Sequence, residues 1–230
     1  MRLVFLPGLD GLGEMLGPVI QALDFAESQV LTYPPKEWLD YPALQSYVQE
    51  RWPEEDFILI VDSFSGPIAI QQMATQTTCC RALVFVSTFA RHPVPEILAR
   101  VAYPFLTQIF RLPPPSFVLK TLVLGWSADP KVLTQMRTAI ARVEPYVVAR
   151  RLRAVATVDV CSHVGDIKIP TLYLRGRQDR IVGRGAGDLL KSLNSKIQIQ
   201  ELDAPHLILQ TRPEEAAVLI LDFLKREALL

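Results

Sequence analysis

Short apolar runs alternate with amphipathic stretches along most of the chain. Residues 2–8 (RLVFLPG) read as a strand stopped by Pro-Gly, and 14–24 as a helix. A second strand falls at 28–34 (SQVLTYP), followed by a helix near 42–52. The third strand, 57–62 (FILIVD), runs straight into a helix of about 64 to 76, and a fourth lies at 81–88 (RALVFVST). After a long interval come a strand at 171–176 (TLYLRG), a helix near 184–193, a strand at 196–202 (KIQIQEL) and a helix near 213–228. Strands that are apolar at almost every position are buried on both faces, and strand–helix alternation builds a parallel sheet covered on both sides. With right-handed crossovers, the expected fold class is α/β: a doubly wound, mainly parallel sheet of about six strands.

The interval 91–159 breaks the pattern. It holds 8 of the 18 prolines, including LPPPS at 112–116, and no convincing strand. Amphipathic segments near 96–111, 117–126, 130–141 and 144–156 read as short helices. Ten Lys/Arg against four Asp/Glu give it a net charge of +6, so the remainder carries −6 in a chain that is neutral overall. The expected organisation is a core of 1–90 and 160–230, with a basic helical cap, 91–159, inserted between two strands.

Composition narrows the classes of function. Half of the 230 residues are hydrophobic and 21% are charged, which suits a globular core and excludes a disordered chain. The neutral balance points to no nucleic-acid partner. No apolar stretch approaches the roughly 20 residues of a membrane span. The N-terminal MRLVFLPGLDG has too short an apolar run for a signal peptide and lacks a cleavage site, so a cytoplasmic protein is expected. Cys79, Cys80 and Cys161 make an odd count, which favours reduced thiols over a disulfide framework. No CxxC, HExxH, GxGxxG or GxxxxGK occurs, so neither a metal nor a nucleotide cofactor is expected.

In an open parallel sheet, ligands bind beyond the carboxyl ends of the strands. Four polar or turn features fall at such ends: Gly8-Leu9-Asp10-Gly11 after the first strand, Ser63 after the third, Asp179 after the fifth and His206 after the sixth. Each alone has an ordinary explanation as a small strand-end residue, a turn or cap aspartate, or a loop histidine. Together, in the order Ser, Asp, His and each behind its own strand, they match a known nucleophile–acid–base order. His92 and His163 are the other histidines, and neither follows a strand in the required position. Asp203 is an alternative acid, but three residues from His206 it is better suited to shaping that loop.

These stretches resemble the α/β-hydrolases, and within them the small capped esterase-like members. VFLPGLDGLG is similar to the oxyanion strand and turn, VDSFSGP to the nucleophile elbow, LYLRGRQDRIV to the acid loop and APHLILQTRP to the histidine loop. The sequence begins at the oxyanion strand, so the first two strands of the full family fold are not expected, and 91–159 corresponds to the family's lid. The resemblance implies a serine hydrolase. Ser63 is then the nucleophile, His206 the base that takes and returns its proton, and Asp179 the acid that fixes the imidazole. The oxyanion would meet the backbone N–H groups of Leu9 and Phe64, with Gly8 and Gly11 giving the first loop its unusual dihedrals. Asp10 and Asp62 could support the site, and a turn or strand-end role is the alternative for each.

The elbow departs from G-x-S-x-G, because Val61 and Ser65 stand at the glycine positions. Ser65 is small and backed by Gly66, whereas Val61 puts a β-branched side chain where the family often has none. The cap sequence EILARVAYPFLTQIFRLPPPSFVLKTLVLGW is rich in Leu, Phe, Val and Tyr; burial against the core is their ordinary role, and those that instead line a pocket above Ser63 would make a hydrophobic acyl group the expected substrate part. The leading expectation is carboxylic ester hydrolysis through an acyl-enzyme. The alternative is a thioesterase acting on acyl-coenzyme A or an acyl carrier, for which ARRLRA (149–154) could recognise phosphate, a solvated helix face explaining the cluster at least as well. A non-catalytic ligand binder of the same fold, and interfacial attachment through the cap, are further alternatives.

Overall fold

The six strands form one all-parallel sheet in the order β2-β1-β3-β4-β5-β6. They are β1 (Arg2–Leu6), β2 (Ser28–Val30), β3 (Phe57–Asp62), β4 (Cys80–Val86), β5 (Thr171–Gly176) and β6 (Gln198–Leu202). The structure, a computed structural model, describes residues 1–75, 79–93, 108, 111 and 114–230. Its longer helices among these are α1 (Gly17–Leu23), α2 (Tyr41–Gln49), α3 (Gly66–Thr75), α4 (Pro130–Ala141), α5 (Pro145–Val155), α6 (Arg184–Leu193) and α7 (Pro213–Arg226).

Strand pleating sends successive side chains to opposite faces, and the apolar runs fill both. Leu3, Phe5, Ile58, Ile60 and Val84 pack on one face against Val19 of α1 and Ile220 and Phe223 of α7. Val4, Leu6, Leu59, Val61 and Phe85 pack on the other, beneath Leu44 of α2, Ile68 and Met73 of α3 and Leu190 of α6. Each such side chain, fully buried, contributes about 1.5–3 kcal/mol, so the sheet is held from both sides. Helix starts follow local chemistry: Asp40 caps α2 by accepting from Ala43 N–H at 2.9 Å, and Asp129 caps α4 by accepting from Lys131 N–H at 2.8 Å. Pro42, Pro130 and Pro145 occupy first-turn positions, where a missing N–H costs nothing.

The elements differ from the sequence reading mainly at their ends. The second strand is only Ser28–Val30, not 28–34, because β2 is an edge strand paired with β1 alone. Beyond it the chain turns toward the first loop: Leu31 N–H donates to Phe5 O at 3.0 Å and Tyr33 N–H to Gly11 O at 2.7 Å, and Pro34 and Pro35 have no N–H for a ladder. The helix at 14–24 opens as a 3₁₀ turn, Glu14–Leu16, before α1. The fourth strand ends at Val86, since Ser87 takes a φ of 45°.

Between β4 and β5 the described residues form helices. Ser116–Leu119 widens into a π-type turn, Lys120–Leu124, and α4, α5 and a single turn at Cys161–Val164 follow. The helix expected at 96–111 falls almost wholly outside the described residues. The two ends of the interval lie side by side: Arg91 and Asp159 form an antiparallel bridge with a 2.8 Å ion pair, and Val160 N–H donates to Ala90 O at 2.8 Å. Among the described residues no helix is long and apolar enough to cross a membrane.

Candidate active site

Ser63 directly follows β3 with a φ of 44°, a conformation that few residues other than glycine adopt. Such a residue costs on the order of 1–3 kcal/mol and persists only when its surroundings over-determine it. Those surroundings are a 3₁₀ turn, Ser63–Ser65, that leads into α3. The Ser63 carbonyl accepts from Thr88 Oγ1 at 2.5 Å and from Gly66 N–H. The Phe64 carbonyl accepts from Tyr41 Oη at 3.1 Å, and the Phe64 ring stacks on Tyr41 with centroids 5.0 Å apart. The close approach that a glycine serves falls at Gly66, where a Cβ would stand 1.8 Å from Thr88 Oγ1. Val61 is an ordinary buried strand residue, paired with Leu6 and Phe85. Its β-branched side chain joins the cluster under α3, so the departure at this position is absorbed by the core.

His206 and Asp179 reach Ser63 from loops beyond the ends of β6 and β5, on the far side of β4 from β3. His206 Nε2 lies 2.8 Å from Ser63 Oγ, and His206 Nδ1 lies 2.9 Å from Asp179 Oδ2. A carboxylate can only accept, so Nδ1 carries the proton and Nε2 is left to accept from the serine. Asp179 Oδ1 accepts from the Ile181 and Val182 N–H groups at 2.8 and 3.0 Å, which fixes the carboxylate plane. Burial pushes this carboxyl up, but the hydrogen bond and charge of His206 and the two amides outweigh it, and the net shift is below the ordinary value. Asp203 turns away to accept from Gln178 Nε2 at 2.9 Å, joining the acid and histidine loops. His92 lies beside the Arg91–Asp159 bridge, and His163 in the turn at Cys161–Val164.

The first loop is held from two sides. From the core, Ser65 Oγ donates to the Pro7 carbonyl and accepts from Tyr33 Oη at 2.6 Å. Burial pushes the Tyr33 phenol well up, so it stays a donor. Ser65 is therefore a tie between elbow and loop as well as a small residue. From α5, Arg151 donates Nη1 to the carbonyls of Leu9 and Asp10 at 2.9 and 2.7 Å, and Nη2 to that of Pro34 at 3.0 Å. ARRLRA is thus not one solvated face: Arg151 is buried, while Arg150 and Arg153 are exposed. Asp10 is half-buried beside this guanidinium, and burial raises its carboxyl despite the arginine.

The orientation of two N–H groups follows from these ties. Gly11 N–H donates to Gly8 O at 3.0 Å, and in a trans peptide the N–H opposes the carbonyl, so Leu9 N–H points the other way. The same holds at Phe64, whose peptide carbonyl is the anchored Ser63 O. Asp62, just before Ser63, is 3% exposed, and one of its oxygens accepts from Gln210 Nε2 at 3.1 Å. Burial pushes its carboxyl up to about 6, with His206 and Gln210 pulling it back. Gln210 is a neighbour that the sequence reading missed. It lies four residues past His206, so one turn brings both side chains to the end of β3. No three His, Cys, Asp or Glu side chains among the described residues are grouped as a metal would require.

No protein-family model matches the sequence, and no curated protein matches it. Solved structures do resemble it over nearly its whole length. MenH from S. aureus superposes with a TM-score of 0.79 at 16% identity, covering 99% of this chain and 94% of the other. The esterase EaEST from Exiguobacterium antarcticum gives a TM-score of 0.83 at 11% identity, over 98% and 92%. A thermophilic esterase from Thermogutta terrifontis gives 0.78 at 20% identity, over 99% and 90%. At such identities the likeness is one of fold, and the chain has the α/β-hydrolase fold.

Proposed function

We propose that the protein is a serine hydrolase that cleaves carboxylic esters through an acyl-enzyme. The observation that carries this is the hydrogen-bonded series Ser63 Oγ–His206 Nε2–His206 Nδ1–Asp179 Oδ2, at 2.8 and 2.9 Å, on a serine held at positive φ. His206 Nε2 takes the Ser63 proton as Oγ attacks the ester carbonyl, and the imidazolium is stabilised by Asp179. The tetrahedral oxyanion is met by the Leu9 and Phe64 N–H groups, whose directions are set before substrate arrives. His206 then protonates the leaving alcohol, and in the second half-reaction it activates the water that releases the acid. Asp62 and Asp10 support the elbow and the first loop without touching the reacting atoms.

A hydrophobic acyl group is preferred. Val123 O accepts from Leu207 N–H at 3.3 Å and Gly125 packs on Pro205, which brings the apolar segment 116–126 against the histidine loop. The thioester alternative loses its central arginine, since the donors of Arg151 are committed to loop carbonyls. The substrate is a small molecule, and the esterase and MenH neighbours are consistent with that. The test is a p-nitrophenyl ester panel from acetate to octanoate on wild type and Ser63→Ala. Activity peaking at medium chain length and abolished in the variant is expected. Undiminished turnover by the variant would overturn the mechanism.

A further inference from the structure

The Leu9 N–H belongs to the loop after β1, whose Leu9 and Asp10 carbonyls are held by Arg151. We propose that Arg151 is a positioning residue that aims this N–H at the oxyanion. The inference rests on the reading of Ser63 as nucleophile and extends it to the cap.

The geometry forms a relay of trans peptides. Arg151 Nη1 pulls the carbonyl of Asp10 toward α5 at 2.7 Å. The Gly11 N–H, on the other side of that peptide, must then point away, and it donates to Gly8 O at 3.0 Å. Anchoring Gly8 O turns the Leu9 N–H outward in its turn. The second contact of Nη1, with Leu9 O at 2.9 Å, clamps the intervening peptide, so three consecutive units have one mutually consistent arrangement. Gly11 allows this at a φ of 72°, and a Cβ there would stand 2.7 Å from Arg151 Nη1.

Burial argues that this is a dedicated role. Arg151 is 2% exposed and is the largest fully buried side chain among the described residues. Burying a guanidinium costs several kcal/mol unless its donors and charge are compensated. Here three carbonyls and the neighbouring Asp10 carboxyl compensate it, and the Tyr33 ring lies 5.8 Å away. A Leu or Met would fill the same space at lower cost, and neither could orient carbonyls. The base of the side chain is fixed as well, because Val143, Val147 and Val148 pack with Leu9, Leu12 and Leu152.

The test is steady-state hydrolysis of p-nitrophenyl butyrate by Arg151→Met, Arg151→Ala and Arg151→Lys, with rates expressed per active site titrated by a fluorophosphonate. In Arg151→Met, kcat should fall on the order of 10²-fold, the scale of one lost oxyanion donor, with KM changed less than about threefold. Affinity for a trifluoromethyl ketone, whose alkoxide occupies the same hole, should weaken by a similar factor. Low-millimolar guanidinium should restore part of the rate of Arg151→Ala and none of Ser63→Ala. Arg151→Lys, which fills the site and keeps the charge, should be intermediate. An active wild type whose Met and Lys variants keep kcat and inhibitor affinity within about twofold overturns the role of Arg151 alone. A wild type that neither hydrolyses esters nor is labelled sinks the hydrolase reading and this proposal with it.

Discussion

Replacing Asp62 by Asn should stabilise the protein at alkaline pH and leave it nearly unchanged in acid. Asp62 is buried behind Ser63, and among the described residues neither its Oδ1 nor the neighbouring Gln210 Oε1 has a partner. Burial raises the carboxyl from 3.8 to about 6 in the folded state. A folded pKa above the unfolded one means that the native state holds the proton more tightly. The associated stability is complete below about pH 4 and is lost as the pH rises through about 6. About two units at ~1.4 kcal/mol each gives a loss of about 2–3 kcal/mol by pH 8. Asparagine does not ionise, and its amide can donate toward the orphaned Gln210 Oε1 while its oxygen accepts from Nε2. The stability of Asp62→Asn minus wild type should therefore be close to zero at about pH 4 and reach about 2–3 kcal/mol at pH 8. Urea unfolding followed by tryptophan fluorescence measures it, and taking the difference cancels groups common to both proteins. A difference that does not change with pH, or one that grows toward acid, would refute the reasoning.

Two further perturbations separate chemistry from packing. Asp179→Asn keeps the shape of the acid but presents a donor to His206 Nδ1, which favours the tautomer with its proton on Nε2. kcat for p-nitrophenyl butyrate should fall by on the order of 10⁴ with the melting temperature nearly unchanged, and a loss below tenfold would exclude the acid role. Gly66→Ala should gain about 1 kcal/mol of helix propensity, yet its Cβ would stand 1.8 Å from Thr88 Oγ1. A net destabilisation of about 2 kcal/mol or more is expected, partly relieved when Thr88→Ala is added. Strictly additive effects in that double-mutant cycle would show that the close approach is not what demands glycine.

How much of this was legible in the sequence depends on what each residue's local pattern encodes. The strands are apolar on both faces, so their number and their places along the chain could be read, and the ends of β3, β5 and β6 pointed to Ser63, Asp179 and His206. Edge position is invisible to such a pattern, and SQVLTYP looked like a full strand although only Ser28–Val30 pairs. Arg151 was misread as part of a basic cluster because composition was weighed before period. Val147, Val148 and Arg151 share one buried stripe of α5 at helical spacing, and an arginine on the apolar stripe of an amphipathic helix has to find partners inside. That signal was present in PYVVARRLRAV, and only the partners, the carbonyls of Leu9, Asp10 and Pro34, required the fold.

The elbow shows why a motif is better read as a set of contacts than as a string of letters. G-x-S-x-G places glycines where an elbow helix and strand crowd each other, and here the positions carry Val61 and Ser65. Val61 faces the cluster beneath α3, where a β-branched side chain is an asset. The crowding has moved one residue along, to Gly66 against Thr88, and Thr88 uses the same proximity to anchor the Ser63 carbonyl. Ser65, freed from the need to be absent, ties the elbow to Pro7. The strained φ at Ser63 is thus restrained from the segment after β4 and through the first loop, with Arg151 completing the loop from α5. Substitutions at Thr88, Ser65 or Arg151 should therefore act on the same quantity, the placement of the oxyanion donors relative to Ser63 Oγ. Their effects on kcat should be less than additive, whereas Val61→Gly should only open the core, costing stability by more than about 2 kcal/mol with kcat per active site preserved.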